Sequence, residues 1–304
     1  MSTTPSEVAF RKVFTDLKEK GKFCSPRGQL VIEIENYSYT LPPRARFCNF
    51  LARKINQNYV KREFLWYLRG NAKDLEILKH ASMWDNLVND NGSINSNYGQ
   101  YIFNDNLNQF SNVVKTLSND VDSRRASISI LSAKHLLSTT NDVPCTYSLN
   151  FRIREMKLNM TVHMRSQDAV FGMGNDAPCF SFIHEMVYVA LRSVYPELVM
   201  GEYHHFADSF HVYERHFKVM EAIAEGSPYV PITCPEISSL KEVNFLQRLI
   251  HFTNYGEIDL EDFPDFETDA RLILNEPDLR DLIVQQRDNY EFSTWLTTFN
   301  GEVK

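Results

Sequence analysis

Residues 143–176, VPCTYSLNFRIREMKLNMTVHMRSQDAVFGMGND, decide how this chain is read. A cysteine, Cys145, follows a proline, and two alternating segments after it read as paired strands. An Arg-Ser pair, Arg165 and Ser166, then leads through a glycine-bracketed turn to an acid, Asp176. Read as chemistry, the stretch offers a nucleophile (Cys145), an anion site (Arg165, Ser166) and a polar reader (Asp176). Each element alone has a plainer reading, since a single thiol in a chain like this is equally a small buried apolar group. The order and spacing of the three are what point to a site.

The whole chain has 304 residues, 43% hydrophobic and 23% charged, which is the composition of an ordinary globular protein with room for one large core or two modest ones. A formal charge of −7 argues against a protein that coats nucleic acid, because such binding rests on Lys and Arg against phosphates. Any phosphate bound here belongs in a local basic pocket. Five cysteines at irregular spacing, with no CxxC, fit neither a disulfide framework nor a zinc site and suit a reducing, cytosolic setting. The start, MSTTPSEVAF, lacks a charged and then apolar leader, and no run approaches the ~18 apolar residues of a membrane span, so a soluble protein is expected. There is no internal repeat or low-complexity segment.

Outward from the central stretch, Ser6 is expected to cap a helix carrying Val8, Phe10, Val13, Phe14 and Leu17 on one face and ending near Gly21. The turn Ser25 to Gly28 leads into an alternating strand with Leu30, Ile32 and Ile34, and Arg27 in that turn reads equally as a solvated charge or an anion ligand. Arg46 to Asn58 and Lys61 to Leu68 look like two helices around an apolar seam. Glu63 lies in the second, on either its surface or its buried side, and a buried carboxylate there would need a partner or a task. Trp84 fits a core anchor as well as a ligand wall. Arg124 and Arg125 precede an alternating strand, where an Arg pair is ordinarily solvated. Ala177 to Val194 reads as an apolar helix whose start places Asp176 at its N-terminus. His211 and Tyr213, two apart on an extended segment, share a face. His204, His205, His211 and His216 lack compact metal-ligand spacing, so no metal is expected. From Ala222 onward, helical segments at Ser239 to Phe252 and Asp278 to Gln286 and an acidic patch around Asp259 to Asp269 carry no motif.

Taken together, Pro144-Cys145, REFLWYLRG around Glu63, MWDNL with the later Tyr98-Gly99, Ser123-Arg124-Arg125, Arg165-Ser166-Gln167-Asp168 and His211-x-Tyr213 resemble the thymidylate synthase superfamily. The resemblance runs to about Met220. It implies an α+β fold, a large twisted mixed sheet covered by helices, with a sheet face used for dimerisation, and a single such domain over residues 1–304. Two departures stand out. Thr146 follows the cysteine where the family usually has His, and counting from Arg165 lands on Asp176 where it has Asn; both are similar to its cytidylate-acting branch. Asn175, one residue away, is the rival reader and would imply dUMP.

The resemblance further implies 5,10-methylenetetrahydrofolate as cofactor, bordered by Trp84, Glu63, Asp168 and Gly172, and a nucleotide phosphate held by Arg165, Ser166 and Arg27. Arg124 and Arg125 would reach the partner's site in a homodimer, and His211 and Tyr213 would hold the sugar. The expected substrate is dCMP and the expected product 5-hydroxymethyl-dCMP, formed through a Cys145 adduct at C6, with methylation of dCMP or action on CMP as alternatives and a non-catalytic regulatory homologue as a remote one. Cys145 would have its pKa lowered by arginines such as Arg165. Neither nucleic acid nor membrane is an expected partner, and a cytoplasmic location, the host's for a viral protein, is expected.

Overall fold

The two alternating segments form a hairpin: β4 (Thr146–Arg154) and β5 (Lys157–Asp168) pair antiparallel, from Thr146 opposite Met164 to Arg154 opposite Lys157. The turn residues Glu155 and Met156 both take left-handed φ, 51° and 53°, the conformation a tight primed turn demands at both centres. In the computed structural model, which describes residues 3–103, 108–137, 140, 142–244 and 290–299, this hairpin is the middle of a six-stranded sheet. The other strands are β1 (Lys22–Cys24), β2 (Val31–Leu41), β3 (Ser127–Ser129) and β6 (Val199–Tyr213), in the order β1-β2-β6-β5-β4-β3. All neighbours are antiparallel except β5 and β6. A parallel pair needs a crossover, and α6 (Gly172–Leu191) supplies it. The result is the open, mixed α+β sheet that the resemblance implies.

Period-two alternation explains which face is covered. Leu149, Phe151 and Ile153 of β4 and Leu158, Met160, Val162 and Met164 of β5 are buried on one side. Helix α6 is buried nearly all round, through Phe180, Phe182, Ile183, Met186 and Val187, as a helix apolar on every face must be. Glu185 lies fully buried within it, bound by Arg44 Nε at 2.7 Å and Arg46 Nη2 at 2.6 Å. The charges compensate one another inside the protein, where either alone would be costly.

Three boundaries differ from the sequence reading. Helix α1 (Pro5–Lys20) is capped by Thr4, whose hydroxyl accepts from Glu7 N–H at 3.1 Å, so Ser6 lies inside it; Pro5 suits the first turn, where its missing N–H is not needed. Residues 46–56 are not helical: Phe50 bridges to Arg53 and Tyr229, and the Asn49 side chain accepts from Ile55 N–H at 2.9 Å. Asn56 then caps α2 (Gln57–Arg69). Helix α6 starts at Gly172, five residues earlier than expected, because Asp168 accepts from the N–H groups of Val170 at 3.1 Å and Phe171 at 2.9 Å and turns the chain into it. Asp176 therefore sits in the second helical turn, not at the helix start.

Short helices α3 (Gly99–Ile102), α4 (Gln109–Asn119), α5 (Ala133–Leu137) and α7 (Phe217–Ala224) complete the first of two units, residues 1–232. The second unit spans 233–304 and contains α8 (Glu291–Thr297), where fully buried Glu242 accepts from the N–H groups of Ser238 and Ser293. The expected helix Asp278 to Gln286, the acidic patch, and the expected helix Ser239 to Phe252 beyond residue 244 lie outside the described residues.

Candidate active site

Cys145 sits at the entry of β4, partly buried, on a loop that Arg165 holds. Arg165 N–H donates to Cys145 O at 2.8 Å, while its side chain reaches back, Nε to Pro144 O at 3.0 Å and Nη2 to Val143 O at 2.7 Å. One residue thus fixes three successive carbonyls and sets its charge beside the thiol. The expected drop in the thiol pKa does not follow. Burial pushes the Cys145 thiol up; Arg165 pulls it down, Asp176 and Asp142 oppose, and the net direction is upward. The desolvation of a thiolate at this depth outweighs the nearby guanidinium.

Glu63, on α2, is 4% exposed; its Oε1 accepts from Tyr67 OH at 3.3 Å and its Oε2 has no partner among the described residues. Burial, with the charge of Asp176 second, raises its pKa to about 8. Asp176 keeps an accessible edge, yet its surroundings are those of the interior, and burial raises it to about 7. These carboxyls are poised to hold and release protons near neutrality. Asn175 is about 100° further round the helix, and its side chain makes no hydrogen bond among the described residues.

A carboxyl whose folded pKa is raised contributes stability that is complete below its unfolded pKa and is lost as pH rises through the folded value. Buried neutral His184 and His205, held down to about 4 and about 3 by burial, act in the opposite sense, but only below about pH 6.5. The urea midpoint of the unliganded protein is therefore expected to fall between about pH 6.5 and pH 9, and Glu63→Gln to flatten that fall. Identical slopes in the two proteins would mean that Glu63 is already ionised at neutral pH.

On the strand side, His211 and Tyr213 meet edge to face with ring centroids 5.0 Å apart, and Ser209 Oγ lies 3.4 Å from His211 Nδ1 while donating to Glu33. Ser166 stands in register opposite Ser209. Arg27 occupies an exposed turn with left-handed φ of 53°, and its charge acts on both Cys145 and His211. Gly172 lies against Asp168, Gln167 and Asp176. Both Asp168 oxygens cap the turn into α6. Trp84 is 6% exposed, its Nε1 donating to Tyr59 OH at 2.9 Å and its ring 5.1 Å from that of Trp66, so it is anchored in the core beside α2.

Arg124 and Arg125 precede β3. Both are exposed, and Arg124 lines an open cavity of about 440 Å³ with Tyr147, Arg152 and His163, on the sheet face that α6 leaves uncovered. Two residues of the site, Tyr98 and Gln167, entered the sequence reading only as members of motifs, and a third, Arg53, went unremarked. Tyr98, buried and facing the Cys145–Thr146 segment, stacks on Phe180. Gln167 touches Asp176. Arg53 is 8% exposed, has no ion-pair partner among the described residues, and presses on Gly174, where a Cβ would come within 2.1 Å of its guanidinium. No local pattern marks Arg53, because its burial comes from distant segments.

A loop-held thiol, two elevated carboxyls and a polar strand end are groups that nucleophilic and acid–base catalysis use. The thymidylate synthase family model matches residues 9–266. The chain belongs to the thymidylate synthase family, a family of one-carbon transferases. It is 30% identical over 215 residues to the deoxycytidylate 5-hydroxymethyltransferases of Enterobacteria phages T6 and T4, covering 67% of this chain and 85% of each relative. To the deoxyuridylate hydroxymethyltransferase of Bacillus phage SP01 it is 28% identical over 225 residues, 69% of this chain and 57% of that relative. In this thymidylate synthase family member, no helix among the described residues is long and apolar enough to cross a membrane.

Proposed function

We propose that this chain hydroxymethylates C5 of dCMP, giving 5-hydroxymethyl-dCMP, with 5,10-methylenetetrahydrofolate as the one-carbon source. The observation that carries this reading is Asp176, a carboxyl raised to about 7 whose charge is felt by both Cys145 and Glu63. Cytosine presents an N3 acceptor and an N4 donor, which a carboxylic acid matches by donating once and accepting once. Asp176 passes its proton to N3 as the Cys145 sulfur adds at C6, and the resulting carboxylate accepts from both N3–H and N4–H. While Asp176 is protonated, one charge opposing the thiolate is also removed. Thr146 leaves the space after the cysteine to a small side chain, fully buried and facing Tyr98.

The residues present fit a folate. Among the described residues Glu63 Oε2 has no hydrogen-bond partner and buried Arg53, beside Gly174 and the Asp168 turn, has no ion-pair partner, which suits it to a carboxylate. The bound folate would supply the electrophilic methylene. Glu63 would order the water that completes the product and take its proton. In this reading Arg165, Ser166 and Arg27 would hold the phosphate, and His211 and Tyr213 the sugar. Arg124 and Arg125, both exposed, would serve the site of a second copy, so the reading includes a homodimer acting in the cytoplasm.

Purified protein incubated with methylenetetrahydrofolate and dCMP, CMP or dUMP, with products weighed by mass spectrometry, tests the proposal. A gain of one formaldehyde unit on dCMP is expected. A gain of one methylene unit would make the enzyme a methyltransferase, and preferred turnover of dUMP, the substrate class named for the Bacillus phage relative, would overturn the cytidylate reading.

A further inference from the structure

Gln167 is 2% exposed, on the inner side of β5, and its amide is held at both ends. Its Oε1 accepts from Tyr39 OH at 3.1 Å, and its Nε2 donates to Asp176 Oδ2 at 3.4 Å. A carboxyl oxygen facing an amide draws the NH2 end toward it, so the Tyr39 hydroxyl must donate to the other end. Tyr39 cannot easily turn away: it is 8% exposed and its ring lies on His205, centroids 4.8 Å apart and planes within 8°. Tyr39 of β2 and Gln167 of β5 thus reach each other across β6, and the chain of contacts ends on the acid that reads the base.

Cytosine and uracil ask opposite things of that acid. Neutral cytosine needs an O–H facing N3 and a bare oxygen facing N4; uracil needs a bare oxygen facing N3–H and an O–H facing O4. The two bases therefore select the two positions of one carboxyl proton. An N–H already pointing at Oδ2 favours the form in which Oδ2 is the bare oxygen and the proton is on Oδ1, because an oxygen bearing its own proton accepts more weakly.

We propose that Gln167, oriented by Tyr39, is a positioning residue that keeps the Asp176 proton on Oδ1, the oxygen that faces N3, and thereby turns Asp176 into a cytosine reader. This rests on the cytidylate reading above. The proton moves from Oδ1 to N3 with the O–H electron pair left on Oδ1, so Gln167 continues to donate to Oδ2 throughout. At 3.4 Å the contact is long, and its effect is one of discrimination more than affinity.

Equilibrium binding of dCMP and of dUMP to the full chain without folate, measured calorimetrically for the wild type, Gln167→Met and Tyr39→Phe, tests it, with KM and kcat for both nucleotides alongside. Met keeps the volume of Gln without its dipole, and Phe removes one oxygen from a ring that stays stacked. The preference for dCMP over dUMP is expected to fall about tenfold in Gln167→Met and about threefold in Tyr39→Phe, mainly through tighter dUMP binding and lower KM for dUMP. Equal weakening of both nucleotides, or a shift toward dCMP, would overturn the proposal and leave Gln167 a packing residue. Should Gln167→Met fail to fold, Tyr39→Phe carries the same decision. A wild type that itself prefers dUMP would instead sink the cytidylate reading, a result visible before any variant is compared.

Discussion

Cys145→Ala is expected to bind dCMP and form no product, with kcat lower by about 10⁴-fold or more, ~5.5 kcal/mol at the barrier. C5 of a cytosine ring is a poor nucleophile until sulfur adds at C6, and the other four thiols are differently engaged: Cys48 and Cys179 are buried in the core, Cys24 of β1 donates to Glu33 of β2, and Cys234, in the second unit, donates to Pro235 O. The loop should survive the change, since Arg165 holds it through the backbone carbonyls of Val143, Pro144 and Cys145. Single-turnover mass spectrometry paired with equilibrium dialysis of dCMP separates the two effects. Residual turnover near the wild-type rate would remove Cys145 from the mechanism, and lost binding would mean that the substitution disturbed the loop.

Asp176→Asn is expected to exchange the substrates. The amide can present an acceptor to N3–H and a donor to O4, but it has no proton to give N3 of cytosine. Turnover of dCMP, read as kcat/KM, should fall about 100-fold and that of dUMP rise about tenfold, a swing of ~4 kcal/mol in discrimination. The change nearly preserves volume and removes a buried ionisable group, so the folded protein should lose stability less steeply as pH rises through about 7, the raised value of Asp176. If both nucleotides decline together, Asp176 is a proton carrier without a reading role.

The central hairpin and the residues around it were readable because their signals are local. Period-two alternation located β4 and β5, spacing from Arg165 located Asp176, and a proline before a cysteine drew attention to Cys145. Helix limits were less legible. Thr4 outcompeted Ser6 as a cap because Pro5 fits the first helical turn, and residues 46–56, apolar enough to suggest a helix, are held instead through Phe50 and Asn49 by Tyr229 and Val230 from far along the chain.

The amino-acid order by itself determined the family and the antiparallel hairpin and singled out the residues proposed as nucleophile and acid, since each depends on residue type and spacing along a short stretch. Only the tertiary structure decided their chemical state. It buried Glu63 and set it close enough to Asp176 for that charge to raise it further, buried Cys145 deeply enough to reverse the expected effect of Arg165, and joined Tyr39 to Gln167 across a strand. Desolvation and charge coupling depend on what surrounds a group in space, and those neighbours come from β2 and α2 as well as β5 and α6, the first two lying far before the last two in the chain.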